Sequence, residues 1–242
     1  MKFKNIIAAG CSFTADGIGG VPPSDNNQGG NSFIDYAEHT ASEPMSWASF
    51  VAADLQPVSF VNVSGHGHGN IMSTIAVHDV FTRYKYQPDN TLVMFNITGL
   101  ERMDYVCGWN NPHRSGLVSW TSALLPYTFI GSIKPIMREM QRNQGLDTIP
   151  YQTTKALEMF MFWLDHMNIP YVFTMMMDYL ADPILKTVIE PRRSRLVTFD
   201  GHNSMFDYVS AKNMLAIDQQ HPSRQGHRMI ADFAIEKISL LS

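Results

Sequence analysis

Short apolar runs alternate along this chain with segments in which apolar residues recur every three or four positions. The short runs predict five β-strands, at residues 5–9, 58–63, 91–97, 169–177 and 195–199. The periodic segments predict helices, at residues 47–55, 71–86, 133–142, 151–166 and from 223 onward. A chain that alternates strand and helix in this way is expected to form an α/β domain, with helices on both faces of a mostly parallel sheet.

The length and composition of the chain fit one folded domain. Its 242 residues are 45% hydrophobic and 17% charged, which is too apolar for an intrinsically disordered segment. A formal net charge of −4 gives no electrostatic reason to expect a nucleic-acid partner. Two stretches interrupt the strand–helix pattern, at about residues 16–44 and 104–150. We expect both to be insertions in a single domain that covers residues 1–242.

The apolar runs are too short to cross a membrane. The longest, such as residues 169–177, fall well below the roughly 20 residues that a spanning helix needs. The run between Lys4 and Cys11 has six residues, fewer than the roughly 7–15 in the apolar part of a signal peptide. We interpret it as a buried first strand. With only two cysteines in the chain, the expected location is the cytoplasm.

Residues that can carry chemistry follow three of the predicted strands and precede the last helix. They form four clusters, at residues 10–14, 65–70, 96–99 and 218–222. In an open parallel sheet, ligands bind in the crevice beyond the carboxyl ends of the strands. We therefore expect the four clusters to meet at one edge of the sheet. Together they supply a hydroxyl, backbone N–H donors, an imidazole and a carboxylate.

In these clusters the sequence resembles the SGNH (GDSL-type) hydrolases, a family of serine esterases and lipases. The Gly-Asp-Ser block after the family's first strand corresponds to Gly10-Cys11-Ser12. The Asn-x-Ser/Ala-x-x-Gly block after the second strand corresponds to residues 62–67, and the Asp-x-x-His-Pro block before the last helix to residues 218–222. The resemblance implies the family's flavodoxin-like, three-layer α/β/α fold, and the two insertions have no counterpart in it.

The resemblance also implies a role for each matched residue. Ser12 is then the nucleophile, His221 the base that takes its proton, and Asp218 the carboxylate that orients the imidazole. The backbone N–H groups of Ser12 and Gly67 face the oxyanion that forms during attack. The implied activity is hydrolysis of a small ester or an O-acylated carbohydrate through an acyl-enzyme, with no metal or other cofactor. Acyl transfer to another acceptor would use the same residues.

Two positions depart from the family pattern. Cys11 stands where the family has an acid before the nucleophile, a position whose role is not chemical. Thr98 falls where the family has the asparagine whose side chain donates to the oxyanion. A threonine hydroxyl can donate too, although it is shorter and less fixed than an amide. Asn96 is an alternative donor, but two residues earlier it is expected to lie within the strand.

Two alternatives stay open on the sequence alone. With an altered oxyanion hole, the same fold could serve as a non-catalytic module that binds a glycan or another partner. His66 and His68, joined by Asp218 and His221, would make a zinc-like ligand set and a metal-dependent hydrolase. The competing interpretation of the His-x-His pair is a glycine-rich turn at the rim of a substrate pocket.

Overall fold

The computed structural model describes residues 3–15, 45–65, 68–100, 102–107, 116–120 and 148–241, and the statements below concern these residues. The insertion at residues 16–44, the helix predicted at residues 133–142, and the positions of His66 and Gly67 lie outside them. For residues 103–107 and 116–120 only the backbone is described.

Four parallel strands form the central sheet. Across the sheet they are β2 (Ser59–Asn62), β1 (Asn5–Ala9), β3 (Thr91–Ile97) and β6 (Tyr171–Met175). The register places Ile7 of β1 between Val61 of β2 and Val93 of β3. Two antiparallel strands, β4 (Met103–Cys107) and β5 (Gly116–Trp120), pair in a separate sheet.

Helices cover both faces of the central sheet. They are α1 (Trp47–Leu55), α2 (Asn70–Arg83), α3 (Thr148–His166), α4 (Pro183–Ile189), α5 (Met205–Ala211) and α6 (Arg224–Ser239). Ile7 and Val93 face the core formed with α2, α3 and α4, whereas Ile6 and Leu92 face the core formed with α1, α5 and α6. Neighbouring residues of a strand point to opposite faces, so the sheet is buried between two helical layers. This confirms the predicted α/β/α class.

The segment predicted as a fifth strand, residues 195–199, does not form a strand. A 3-10 helix, Glu190–Arg195, ends at the first residue of this segment, and Leu196 makes a single parallel bridge to Phe173. Phe199 then turns back and pairs with His202. The segment follows the edge of the sheet for too few residues to continue the ladder. Of the helices in the described parts of the chain, none has the length and apolar character needed to cross a bilayer.

The chain turns sharply at the end of β1. Gly10 has a φ of +152°, which side chains rarely adopt. A Cβ there would lie 2.7 Å from Thr14 Oγ1 and 2.9 Å from Asn96 Cβ. The N–H groups of Thr14 and Ala15 donate to the Cys11 carbonyl oxygen at 2.9 and 3.0 Å. Position 10 therefore requires glycine, and the tight turn that follows it lies directly at the carboxyl edge of the sheet.

The strand order determines where a ligand crevice opens. β1 has β2 on one side and β3 on the other. The chain therefore passes from β1 to β2 in one direction across the sheet, and from β2 to β3 in the opposite direction. In sheets of this order the crevice lies beyond the carboxyl ends of the two strands where that reversal occurs. Ser12 follows β1 and Thr98 follows β3, which places both residues at this reversal point.

Candidate active site

A continuous chain of hydrogen bonds joins the two ends of the protein at the sheet edge. His221 Nε2 lies 2.8 Å from Ser12 Oγ, and His221 Nδ1 lies 2.6 Å from Asp218 Oδ2. Ser12 and His221 are 209 residues apart in sequence. The fold thus brings the hydroxyl, the imidazole and the carboxylate that the sequence singled out into direct contact.

The loop that carries His221 is closed by its own backbone. Leu215 and Pro222 form an antiparallel bridge, and the Ala216 N–H donates to the His221 carbonyl oxygen at 2.7 Å. Ser223 then caps α6, because its side chain accepts a hydrogen bond from the backbone N–H of Gly226. The imidazole is consequently held on a short, closed loop that is anchored to the start of a helix.

Asp218 is held as a carboxylate. Partial burial raises its pKa, but the N–H groups of Gln220 and His221 and the His221 ring donate hydrogen bonds to it and lower its pKa to about 2. Both N–H groups lie 3.0 Å from Oδ1, while Oδ2 faces the ring. Each carboxylate oxygen therefore has its own partners, and the side chain cannot rotate without losing them.

The ionised carboxylate determines how the imidazole is oriented. Asp218 can only accept at Nδ1, so the Nδ1–H donates and Nε2 is left with its lone pair. The Ser12 hydroxyl donates to that lone pair across 2.8 Å. The Phe13 ring packs beside the imidazole with its centroid 5.3 Å away, and Ser12 is only 8% exposed. A serine in this arrangement can be deprotonated as it attacks an electrophile.

The turn that carries Ser12 is fixed by two neighbouring elements. Asn62, at the end of β2, donates from Nδ2 to the Thr14 carbonyl oxygen at 2.9 Å and accepts from the Ser64 N–H at 3.0 Å. Trp47, at the start of α1, donates from Nε1 to Thr14 Oγ1 at 3.1 Å. The asparagine of the second sequence block therefore supports the nucleophile turn from the side.

Thr98, on the opposite side of the reversal point, is clamped by Asn70, which lies in the cluster at residues 65–70 but to which the sequence analysis assigned no role. Asn70 Oδ1 accepts from the Thr98 N–H at 2.8 Å, and Asn70 Nδ2 donates to the Thr98 carbonyl oxygen at 3.2 Å. The Thr98 hydroxyl is fully buried, and no residue in the described part of the chain bonds it. The available signal for Asn70 was its place at the first residue of a helix directly after a glycine-rich turn.

Asn96 lies inside β3, as its position two residues before Thr98 predicted. Its Nδ2 lies 2.9 Å from Thr174 Oγ1 and 3.2 Å from Met205 Sδ, and its Oδ1 lies 3.7 Å from Cys11 Sγ. Both amide protons are already used. The side chain packs behind the nucleophile turn. Asn96 therefore has no free N–H to offer an oxyanion, as the alternative in the sequence analysis would require.

Of the two histidines in the glycine-rich segment, only His68 is described. Its imidazole packs against Gly65, where an added Cβ would clash with the ring. Its carbonyl oxygen accepts from Arg102 Nη1 at 3.0 Å. Within the described ranges, no three side chains of His, Cys, Asp or Glu lie close enough together to share a metal ion.

No protein-family model matches this chain, and no curated protein matches it. Several solved structures are similar to it, among them the following two. A catalytic mutant of Axe2, an acetylxylan esterase from Geobacillus stearothermophilus, is 16% identical, with 98% of this chain and 96% of that chain covered and a TM-score of 0.52. TesA is 11% identical, with 98% and 99% covered and a TM-score of 0.51. At these identities the likeness shows the fold, which is the three-layer fold that the sequence resemblance implied.

Proposed function

We propose that this chain, which has the SGNH-hydrolase fold, is a serine-dependent ester hydrolase. Ser12, His221 and Asp218 are its catalytic triad. The proposal is supported above all by the hydrogen-bonded chain from Ser12 Oγ through both imidazole nitrogens to the carboxylate, with distances of 2.8 and 2.6 Å. These residue types in this order are what nucleophilic catalysis by a serine requires.

The proposed reaction has two steps. Ser12 Oγ attacks the ester carbonyl carbon while its proton passes to His221 Nε2, and the carbonyl oxygen becomes an oxyanion. When that intermediate collapses, Nε2 returns the proton to the leaving alcohol oxygen and an acyl-enzyme is formed. Water then attacks the acyl-enzyme by the same route and releases the acid. Asp218 stays ionised throughout and stabilises the imidazolium, as its lowered pKa favours.

The Thr98 hydroxyl, together with the backbone N–H groups of Ser12 and Gly67, is proposed to stabilise the oxyanion. A buried hydroxyl without a partner costs about 1–3 kcal/mol, and the hydroxyl of Thr98 is such a group among the described residues. An oxyanion that forms next to it would supply the missing acceptor. Asn96 is left out of this set, because both of its amide protons already have acceptors.

The proposed substrates are small esters or O-acylated carbohydrates. This choice extends from Axe2, which is an acetylxylan esterase. The test is hydrolysis of p-nitrophenyl acetate and of acetylated xylo-oligosaccharides. Faster release of acetate than in buffer, unchanged by EDTA, supports the proposal. Binding of the oligosaccharide without turnover would instead favour the non-catalytic module, and loss of activity with EDTA the metal-dependent hydrolase.

Replacing Thr98 with valine separates the catalytic role of its hydroxyl from a structural role. Valine has nearly the same shape, and the hydroxyl it removes has no partner in the described structure. We therefore expect an unchanged or higher Tm. Loss of an oxyanion donor should lower kcat about 10²- to 10³-fold. Thermal unfolding and steady-state kinetics on p-nitrophenyl acetate measure both. An unchanged kcat would remove Thr98 from the proposed oxyanion hole.

The acid limb of the pH–rate profile should report one proton. The pKa of Asp218 is lowered to about 2, so its carboxylate stays ionised as the pH falls toward that value. With Asp218 ionised over this range, the acid limb should reflect a single essential base, and log(kcat/KM) should fall with a slope of about one. A slope of two between pH 4 and the plateau would contradict this assignment, because it would require a second essential proton.

A further inference from the structure

A buried guanidinium lies beside the candidate site without an acidic partner in the described structure. Arg102 is 8% exposed and follows β3 in a turn closed by a hydrogen bond from its N–H to the Gly99 carbonyl oxygen. Its Nη1 donates to the His68 carbonyl oxygen at 3.0 Å, and its Nη2 lies 3.6 Å from Met176 Sδ. Its buried Nε has no partner among the described residues.

One side chain, Met176, links Arg102 to the nucleophile turn. Met176 Sδ, which touches the guanidinium, also lies 3.7 Å from Cys11 Sγ. Cys11 directly precedes Ser12, so one methionine sulfur separates the guanidinium from the residue adjoining the nucleophile. The guanidinium also donates a hydrogen bond to the carbonyl oxygen of His68, in the segment that follows β2. The positive charge therefore lies at the carboxyl edge of the sheet, two side-chain contacts away from the turn that carries Ser12.

Among the described residues, the guanidinium charge has no acidic side chain to compensate it. Arginine stays protonated in proteins and offers five N–H donors, of which the described structure satisfies one with an oxygen. Burying a charged group costs several kcal/mol unless an opposite charge or a full set of hydrogen bonds accompanies it. A neutral carbonyl and a thioether sulfur are weak compensation. A bound anion would use the free donors and balance the charge.

We propose that Arg102 recognises a carboxylate on the substrate, so that the chain prefers esters bearing a negative charge near the scissile bond. This inference rests on the proposed ester hydrolysis and narrows its substrate class. The planar guanidinium matches a carboxylate with two parallel hydrogen bonds. The carboxylate belongs either to the acyl group or to the alcohol, and matched probes separate the two.

Two matched probe pairs test the preference. For the acyl side the pair is 4-nitrophenyl hydrogen succinate and 4-nitrophenyl butyrate, and for the alcohol side it is 3-acetoxybenzoate and phenyl acetate. The variants are Arg102→Met, which keeps an apolar chain of similar length, and Arg102→Lys, which keeps the charge. Arg83→Met is the control, because Arg83 is exposed on α2 and ion-paired with Asp79.

In at least one pair, the wild-type kcat/KM should favour the anionic member about tenfold or more. Arg102→Met should lower kcat/KM for that member about ten- to a hundredfold and for its neutral partner less than about threefold. Arg102→Lys should retain part of the preference, and Arg83→Met all of it. An equal loss for both members of each pair, or no wild-type preference in either pair, would overturn the proposal.

Failure of the proposed function is distinguishable from failure of this inference. In the Ser12→Ala background, calorimetric titration with monomethyl succinate and with 3-acetoxybenzoate measures recognition without turnover. Binding of either anion that is lost when Arg102→Met is added supports the carboxylate site even if no ester is hydrolysed. No binding of either anion, or binding that is unchanged by Arg102→Met, overturns it.

Discussion

Replacing Ser12 with alanine should lower kcat for ester hydrolysis roughly 10⁵- to 10⁶-fold. The reason is that the hydroxyl oxygen of Ser12 forms the covalent bond to the acyl group, and alanine leaves nothing for His221 to deprotonate. The fold should survive. The change removes one hydrogen bond to His221 Nε2, worth about 1 kcal/mol, which corresponds to a fall in Tm of roughly 2–4 °C for a chain of this size.

A matched control exists at the same edge of the sheet. Ser64→Ala removes a hydroxyl that has no hydrogen-bond partner within the described ranges, in the segment that follows β2. We expect its kcat to stay within about threefold of the wild type. Steady-state kinetics on p-nitrophenyl acetate compare the two variants. A Ser12→Ala enzyme that keeps more than a hundredth of the wild-type kcat would contradict the assignment of the nucleophile.

Replacing Asp218 with asparagine should lower kcat about 10⁴-fold while leaving the loop in place. The N–H groups of Gln220 and His221 both point at Oδ1, so the amide oxygen of the new side chain must take that position. Its NH₂ group then faces His221 Nδ1 and donates to it. The imidazole is forced to carry its proton on Nε2, where it can no longer accept the proton of Ser12.

The control for this substitution is Asp200→Asn. Asp200 is exposed, its Oδ2 lies 3.5 Å from Lys212 Nζ, and it is not part of the hydrogen-bonded chain of Ser12, His221 and Asp218. The same chemical change there should alter kcat less than about twofold. Kinetics on p-nitrophenyl acetate at pH 8 decide the comparison. If Asp218→Asn keeps a tenth or more of the wild-type kcat, the carboxylate does not orient the imidazole as proposed.

The sequence predicted strands best where a short apolar run lies between clear turn residues, and it predicted the site where residues that can carry chemistry follow such strands. The strands at residues 5–9 and 91–97 begin and end as predicted, because both are short apolar runs between clear turn residues. The meeting of Ser12 with His221 was implied by the family resemblance, together with the expectation that the four clusters lie at one edge of the sheet. The two residues needed no sequence proximity for this prediction.

Short helices and polar contacts between distant parts of the chain were harder to predict from the sequence. The helices α4 and α5 were not predicted, although Asp182 followed by Pro183 and the cap Ser204 are start signals for them. Their seven residues each are too few for a periodic pattern. Residues 195–199 have strand-like side chains, but the 3-10 helix before them determines how they meet the sheet.

The side-chain partners at the site depend on tertiary packing. The sequence offered Asn96 as a donor to the oxyanion, whereas the structure uses both of its amide protons behind the turn. Asn70 and Arg102 carry no motif of their own. The clamp of Asn70 on Thr98 and the burial of the Arg102 guanidinium appear only when β2, β3 and their following segments are brought together. A single sequence does not specify such contacts.

Reaction with a fluorophosphonate probe tests the central claim most directly, because the activated serine itself displaces fluoride from phosphorus and keeps the adduct. Peptide mass spectrometry then identifies the modified residue. We predict one phosphonyl group per chain, on Ser12, absent from Ser12→Ala and formed far more slowly in Asp218→Asn. No adduct on the folded wild-type protein, or an adduct on another residue that forms equally fast in Ser12→Ala, would contradict the proposed triad.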